Sequence, residues 1–109
     1  MLTKVKFGGV FLIECFSSDG ILKWKEFADN LVTNEGLQHI LDVSFSGSTP
    51  TNPWYVGLVG GSPTPAAGDI LSSHVGWTEN TNYAGTRKEY VEVRSSQTLT
   101  NAASKASFG

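Results

Sequence analysis

The chain is 109 residues long, and its eight Lys and Arg against ten Asp and Glu give a formal net charge of −2. That length suits one domain, the scattered, near-neutral charge lacks the basic stripe of a nucleic-acid binder, and no run approaches the roughly 18 apolar residues of a membrane span. Twelve glycines with many Ser, Thr and Asn point to short strands joined by turns, and the lone Cys15, which can form no internal disulfide, suits synthesis in a reducing cytoplasm.

The N-terminus "MLTKVKFGGVFLIECFSSDG" is mildly basic and then apolar, as in a signal peptide. Glu14 and Cys15 stand where small residues would prepare a cleavage site, and the alternation continues past them, so the stretch reads as part of the fold. Residues 10–16, "VFLIECF", and 21–27, "ILKWKEF", read as two strands. Between them Asp19-Gly20 is a strong signal for a type I′ hairpin turn, in which both central residues need positive φ. A two-residue loop pairs Ser18 with Ile21, Phe16 with Lys23, Cys15 with Trp24 and Glu14 with Lys25. Ile13, Cys15, Leu22 and Trp24 then share one face, which places Trp24 in the core. The apolar phase slips at Phe27, which predicts a bulge near Lys25–Glu26.

"TNEGLQHILDV" predicts a short helix over about 34–43. Thr33 or Asn34 is its N-cap, Glu35 lies in its first turn, and Leu37, Ile40 and Leu41 fall at helical spacing. "FSGSTPTNP" (45–53) ends it. Three apolar anchors are too few for a bundle, so the helix is expected to lie over a sheet. "WYVGLV" (54–59) reads as a strand that is apolar on both faces, hence central or covered. The following "GGSPTPAAGD" resembles a phosphate cradle only in glycine content. It has no GxGxxG and no Gly-Lys-Ser/Thr, and its two prolines remove backbone donors that a cradle needs.

Beyond this loop, 69–74 reads as a brief turn or helical piece, Asn80–Gly85 as a polar loop, and 86–94 as a final strand. Mixed charges on that strand suit an edge or a solvated face. Residues 95–109 hold only Leu99 and Phe108 as large apolar groups, too few to offset the cost of ordering fifteen residues. They read as a mobile polar arm on a domain spanning 1–94, able to order only by pairing with an existing sheet edge, such as a neighbouring subunit's.

Chemistry-bearing constellations are absent. His39 falls off the stripe of Leu37 and Ile40 and reads as exposed. A metal site would require His74 to converge with Cys15, Asp69 or Glu79, at no recognised ligand spacing. Asp69, Ser72 or Ser73, and His74 are the residue types of a hydrolytic triad, but near-neighbours in sequence rarely converge with an oxyanion hole. Capping of a turn by Asp69 and local packing of His74 is the simpler reading. No pair among the ten acids is favoured for glycoside hydrolysis. No catalytic, cofactor or metal residue is therefore assigned. Trp54, Tyr55, Trp77, Tyr83 and Tyr90 cluster in the second half, and together with Leu99 and Phe108 they are the candidate partner-interface residues. Filling a small core is the competing role for each Trp.

Four motifs occur in order: Gly20–Trp24 ("GILKW"), Asn30–Leu37 ("NLVTNEGL"), Trp54–Leu58 ("WYVGL") and Ser73–Glu79 ("SHVGWTE"). Over roughly residues 10–90 they resemble a family of small structural proteins of tailed phages, which looks like the capsid decoration (cement) proteins of short-tailed epsilon-fifteen-like phages. The resemblance implies an all-β, jelly-roll-like antiparallel sandwich with one short helix. It implies a protein that is not an enzyme and needs no cofactor, made in the host cytoplasm and seated on the outer virion surface. There it would staple neighbouring copies of the major capsid protein, its expected partner, with a second copy of itself as a further one. Neither nucleic acid nor membrane is an expected partner. Longer relatives continue past the position of Phe108 with further strands, leaving open whether the sandwich closes on itself or borrows an edge. The alternative reading is a tail- or receptor-associated module that binds host polysaccharide through exposed aromatics.

Overall fold

A computed structural model describes residues 8–109. The basic start of the chain, and with it part of the signal-peptide reading and of the expected 1–94 domain, lies outside them. The described residues form one helix and eight short strands, every pair antiparallel, which makes the fold mainly β. The strands make four separate two-stranded sheets. The chain divides into two compact units. The first comprises the described residues up to Gly47 with Pro65–Ser73, and the second Ser48–Thr64 with His74–Gly109.

The first unit opens with β1 (Val10–Phe16) and β2 (Leu22–Asp29) in a hairpin. Cys15 pairs with Trp24 and Glu14 with Lys25, as the alternation predicts. The turn differs from expectation. Gly20 alone takes positive φ, at 86°, and the loop closes through Gly20 N–H to Ser17 O at 2.9 Å and Ser17 N–H to Ile21 O at 2.8 Å. Asp19 keeps an ordinary φ because its carboxylate accepts the Ser17 hydroxyl and the Ile21 N–H. The result is a three-residue loop with glycine at its left-handed position. The extra loop residue moves the irregularity in the ladder next to the turn: Phe16 pairs with Leu22 in place of Lys23, and the bulge expected near Lys25–Glu26 lies between Cys15 and Phe16.

Both faces of this ribbon are apolar, Phe11 and Ile13 on one and Leu12 and Phe27 on the other, and among the described residues of the first unit no second layer of strand or helix covers either. Trp24 is accordingly 50% exposed, not a core residue. No described residue of the chain is fully buried.

Helix α1 (Asn34–Phe45) begins where the capping signal placed it. Thr33 is the N-cap, with extended backbone, and its hydroxyl accepts the Gly36 N–H at 3.3 Å. Ser46 N–H bonds to Asp42 O at 3.1 Å and Gly47 takes φ 75°, so the helix runs two residues past the expected end and stops at a left-handed glycine. Leu37, Ile40 and Val43 are half-buried, and so is His39, which was expected to be exposed. Among the described residues of the first unit the helix packs on neither strand of the hairpin, where it was expected to lie over a sheet. Its N-terminus is closed by a loop instead: Asn34 N–H donates to Ala67 O at 2.7 Å, while the Asp69 carboxylate accepts the Ala66 N–H at 2.9 Å. Ile70 and Ser73 exchange two backbone bonds, so the turn at 69–74 is a tight reversal.

The second unit consists of three ribbons. β3 (Trp54–Val56) pairs with β6 (Lys88–Tyr90), β4 (Leu58–Gly60) with β5 (Thr78–Asn80), and β7 (Val93–Ser95) with β8 (Thr98–Thr100). The expected strand 54–59 is thus broken at Gly57, and 86–94 is broken at Val91–Glu92, each half taking a different partner. Residues 95–109 do not begin as a free arm. Thr98–Thr100 folds back on Val93–Ser95 about a turn with Ser96 at φ 53°, so the sheet edge that the segment needed is its own neighbouring strand.

Thr33→Ala should destabilise the protein by about 0.5–2 kcal/mol, and Thr33→Ser should restore most of that loss in a thermal melt. Trp24→Ala should cost roughly 1.5–2.5 kcal/mol, about half the penalty of a buried aromatic truncation, and leave soluble protein. Chemical denaturation of the purified variant checks the figure.

Candidate partner interface

The seven residues singled out from the sequence all lie in the second unit, and its ribbons sort them by period-two alternation. On β3, Trp54 stands opposite Tyr90 and Val56 opposite Lys88, so these four share a face. Tyr55 faces the other way, opposite Glu89. Tyr55 is 57% exposed and Trp54 50%, whereas Tyr90 is half-buried. Leu99, opposite Arg94 on β8, is 56% exposed.

Tyr83, Phe108 and Trp77 make ring contacts within the unit. The Tyr83 ring meets Phe108 edge-on, with centroids 4.9 Å apart and planes at 83°, an arrangement favoured by the ring quadrupoles. Lys88 reaches over the same ring, its Nζ 5.4 Å from the centroid, and donates to Ala84 O at 2.6 Å. The end of the chain is thereby tied to the 80–85 loop, whose start is shaped by Asn80 accepting the Asn82 N–H at 2.9 Å. Trp77 stacks on His74, with ring centroids 3.3 Å apart and planes 15° from parallel. The imidazole Nδ1 is shielded from solvent without a hydrogen-bond partner.

The structure therefore brings together Trp54 with Tyr90 and Tyr83 with Phe108, joins Trp77 to a histidine, and leaves Tyr55 and Leu99 open. Trp54 and Tyr55, both at least half exposed, lie on opposite faces of one short strand. Among the described residues no three of His, Cys, Asp and Glu are grouped so as to hold a metal ion, and no helix is long and apolar enough to cross a membrane.

Sequence reasoning missed one pair. Arg87 Nε and Nη2 donate to the two carboxylate oxygens of Glu79, both at 2.6 Å. Bidentate, charge-assisted geometry of this kind is the strong form of an ion pair. It holds the Glu79 carboxyl below the usual glutamate range and raises the Arg87 guanidinium further. Residues eight apart across a loop carry no periodicity signal. The clue lay elsewhere, in a glycine at mid-strand, which marks a close approach to the backbone. Similarly, the Ser17 hydroxyl and then the Ile21 N–H hold the Asp19 carboxyl low.

Comparison with known proteins finds no match: no family model, curated protein or solved structure aligns significantly with the chain.

Both carboxylates bind their protons more weakly folded than unfolded. Their contribution to stability is therefore complete above the unfolded range, near pH 4, and is lost as pH falls through the lowered folded values. Melting temperature should drop below about pH 4, and Glu79→Gln should flatten that drop. Thermal melts of both proteins between neutral and strongly acidic pH measure it.

Proposed function

We propose that the protein is a structural component of a tailed-phage virion, decorating the outer capsid surface and bridging neighbouring major capsid subunits. What carries the reading is the ordered set of motifs at Gly20–Trp24, Asn30–Leu37, Trp54–Leu58 and Ser73–Glu79. Four linked motifs are far more specific than any one alone.

The exposure of large apolar side chains supports a role within an assembly. A strand that is apolar on both faces gains stability only when both are covered, and a subunit of a shell can obtain that cover from its neighbours. In this reading the four ribbons are elements of a jelly-roll-like sandwich completed on the shell, with the exposed Trp54, Tyr55 and Leu99 as contacts. Repetition over a lattice would convert a modest contact into firm attachment. A non-enzymatic role is supported by the use of the polar side chains: Asp69 is committed to the Ala66 N–H, and His74 to its stack on Trp77.

Quantitative mass spectrometry of purified particles should find the chain at a copy number on the scale of the major capsid protein. Absence from particles would overturn the reading. A tail-scale copy number, with binding to host polysaccharide, would replace it with the receptor-associated alternative.

A further inference from the structure

Within the second unit, β3–β6 and β4–β5 are separate ribbons whose elements make no contact beyond their own pairings. Between β3 and β4 stands a single residue, Gly57. Its φ lies outside the left-handed region, so glycine is not needed there for backbone freedom. What it supplies is room beside two side chains. A Cβ at Gly57 would stand 3.2 Å from Glu79 Oε1 and 3.6 and 3.7 Å from Arg87 Cγ and Cδ, and the first of these is tighter than ordinary van der Waals contact. Glu79 lies on β5, in one ribbon, and Arg87 directly precedes β6, in the other. Their two 2.6 Å bonds therefore pass over the bare backbone at the point where the strand breaks.

We propose that Gly57 is a hinge between the two ribbons and that the Glu79–Arg87 fork is the latch that closes it. With the latch closed, the direction in which β3 presents Trp54 and Tyr55 is fixed against β4, which carries Leu58 and Val59. With it open, the ribbons are joined only by the chain itself, at Gly57 and through the 81–87 loop that leads from β5 to β6. Of the other nearby charges, Lys88 Nζ is held at Ala84 O, and Glu89 stands two positions beyond Arg87, opposite Tyr55 in the ladder. The side chains of Arg87 and Glu79 are 42% and 27% exposed, so solvent can reach the pair and weaken it. A planar guanidinium is required, because lysine keeps the charge but loses the two-pronged geometry.

Amide hydrogen exchange on the full-length protein tests the device. Glu79→Gln and Arg87→Lys should each speed exchange several-fold in β3–β6 and β4–β5 while leaving the β1–β2 hairpin unchanged. The double exchange Glu79→Arg with Arg87→Glu should restore protection. Gly57→Ala should act as Glu79→Gln does, and should add little in a Glu79→Gln background, because both remove the same latch. Equal effects of Gly57→Ala with and without Glu79, or unchanged exchange in the latch variants, would overturn the proposal. If Gly57→Ala does not fold, the charge swap decides alone: restored protection upholds the latch, and continued fast exchange refutes it.

Discussion

A two-stranded ribbon three residues long has too few side-chain neighbours to bury anything, and that constraint governs the second unit. Strands of this length form a handful of ladder bonds, and isolated hairpins are marginal in water. The ribbons are accordingly clasped by side chains at their ends. Glu79 and Arg87 join two of them across Gly57, Lys88 holds the 83–85 turn, and Arg94 Nη1 donates to Ser96 O at 3.0 Å across the β7–β8 turn. The same logic operates in the longer β1–β2 hairpin, where Asp19 gathers Ser17 and Ile21. Polar clasps do locally what a packed second layer would otherwise do globally.

How far the fold was legible depended on whether a signal was local. The Thr33 cap, the Cys15–Trp24 register and the turn at Gly20 each arise from a few adjacent residues, and all three appear at the expected positions. The turn type did not follow, because positive φ at Asp19 competes with two hydrogen bonds to its carboxylate. Strand partnership was not legible either. "WYVGLVGG" reads as one apolar strand, and alternation cannot say that its halves pair with Lys88–Tyr90 and Thr78–Asn80 respectively. "TEN" at 78–80 has no apolar residue and gives no strand signal; its partner supplies its order. Trp24 was misplaced for a related reason. Alternation identifies the side chains that share a face, but not whether anything lies against that face.

The candidate interface divides along the same line. Aromatic composition alone could not separate Tyr83 and Phe108, which satisfy each other, from Tyr55, which meets nothing comparable. A T-shaped pair has already gained its contact energy and would lose it on docking elsewhere. A half-exposed aromatic on a ribbon still has surface to cover. Among the seven, Tyr55, Trp54 and Leu99 are thus the better candidates for a partner's surface, and the Tyr83–Phe108 pair is better regarded as the tie that holds the chain's last residues.

That tie alters the physics of the C-terminal segment. Two large apolar groups cannot by themselves order fifteen residues, and this remains true of Leu99, which stays exposed. Order comes from the backbone: β8 satisfies its ladder groups on β7, at the cost of a serine with φ 53°, a conformation that side chains other than glycine, Asn and Asp rarely adopt. The hydroxyl of Ser96 bonds to Gln97 Oε1 at 2.6 Å and its carbonyl accepts from Arg94, offsetting that strain. A segment held in this way keeps one edge paired and the other available. Its capacity to add a further strand lies in the open edges of a ribbon already formed, so docking there would not require the whole segment to order at the moment of contact, and would lose less affinity to ordering than a free arm would.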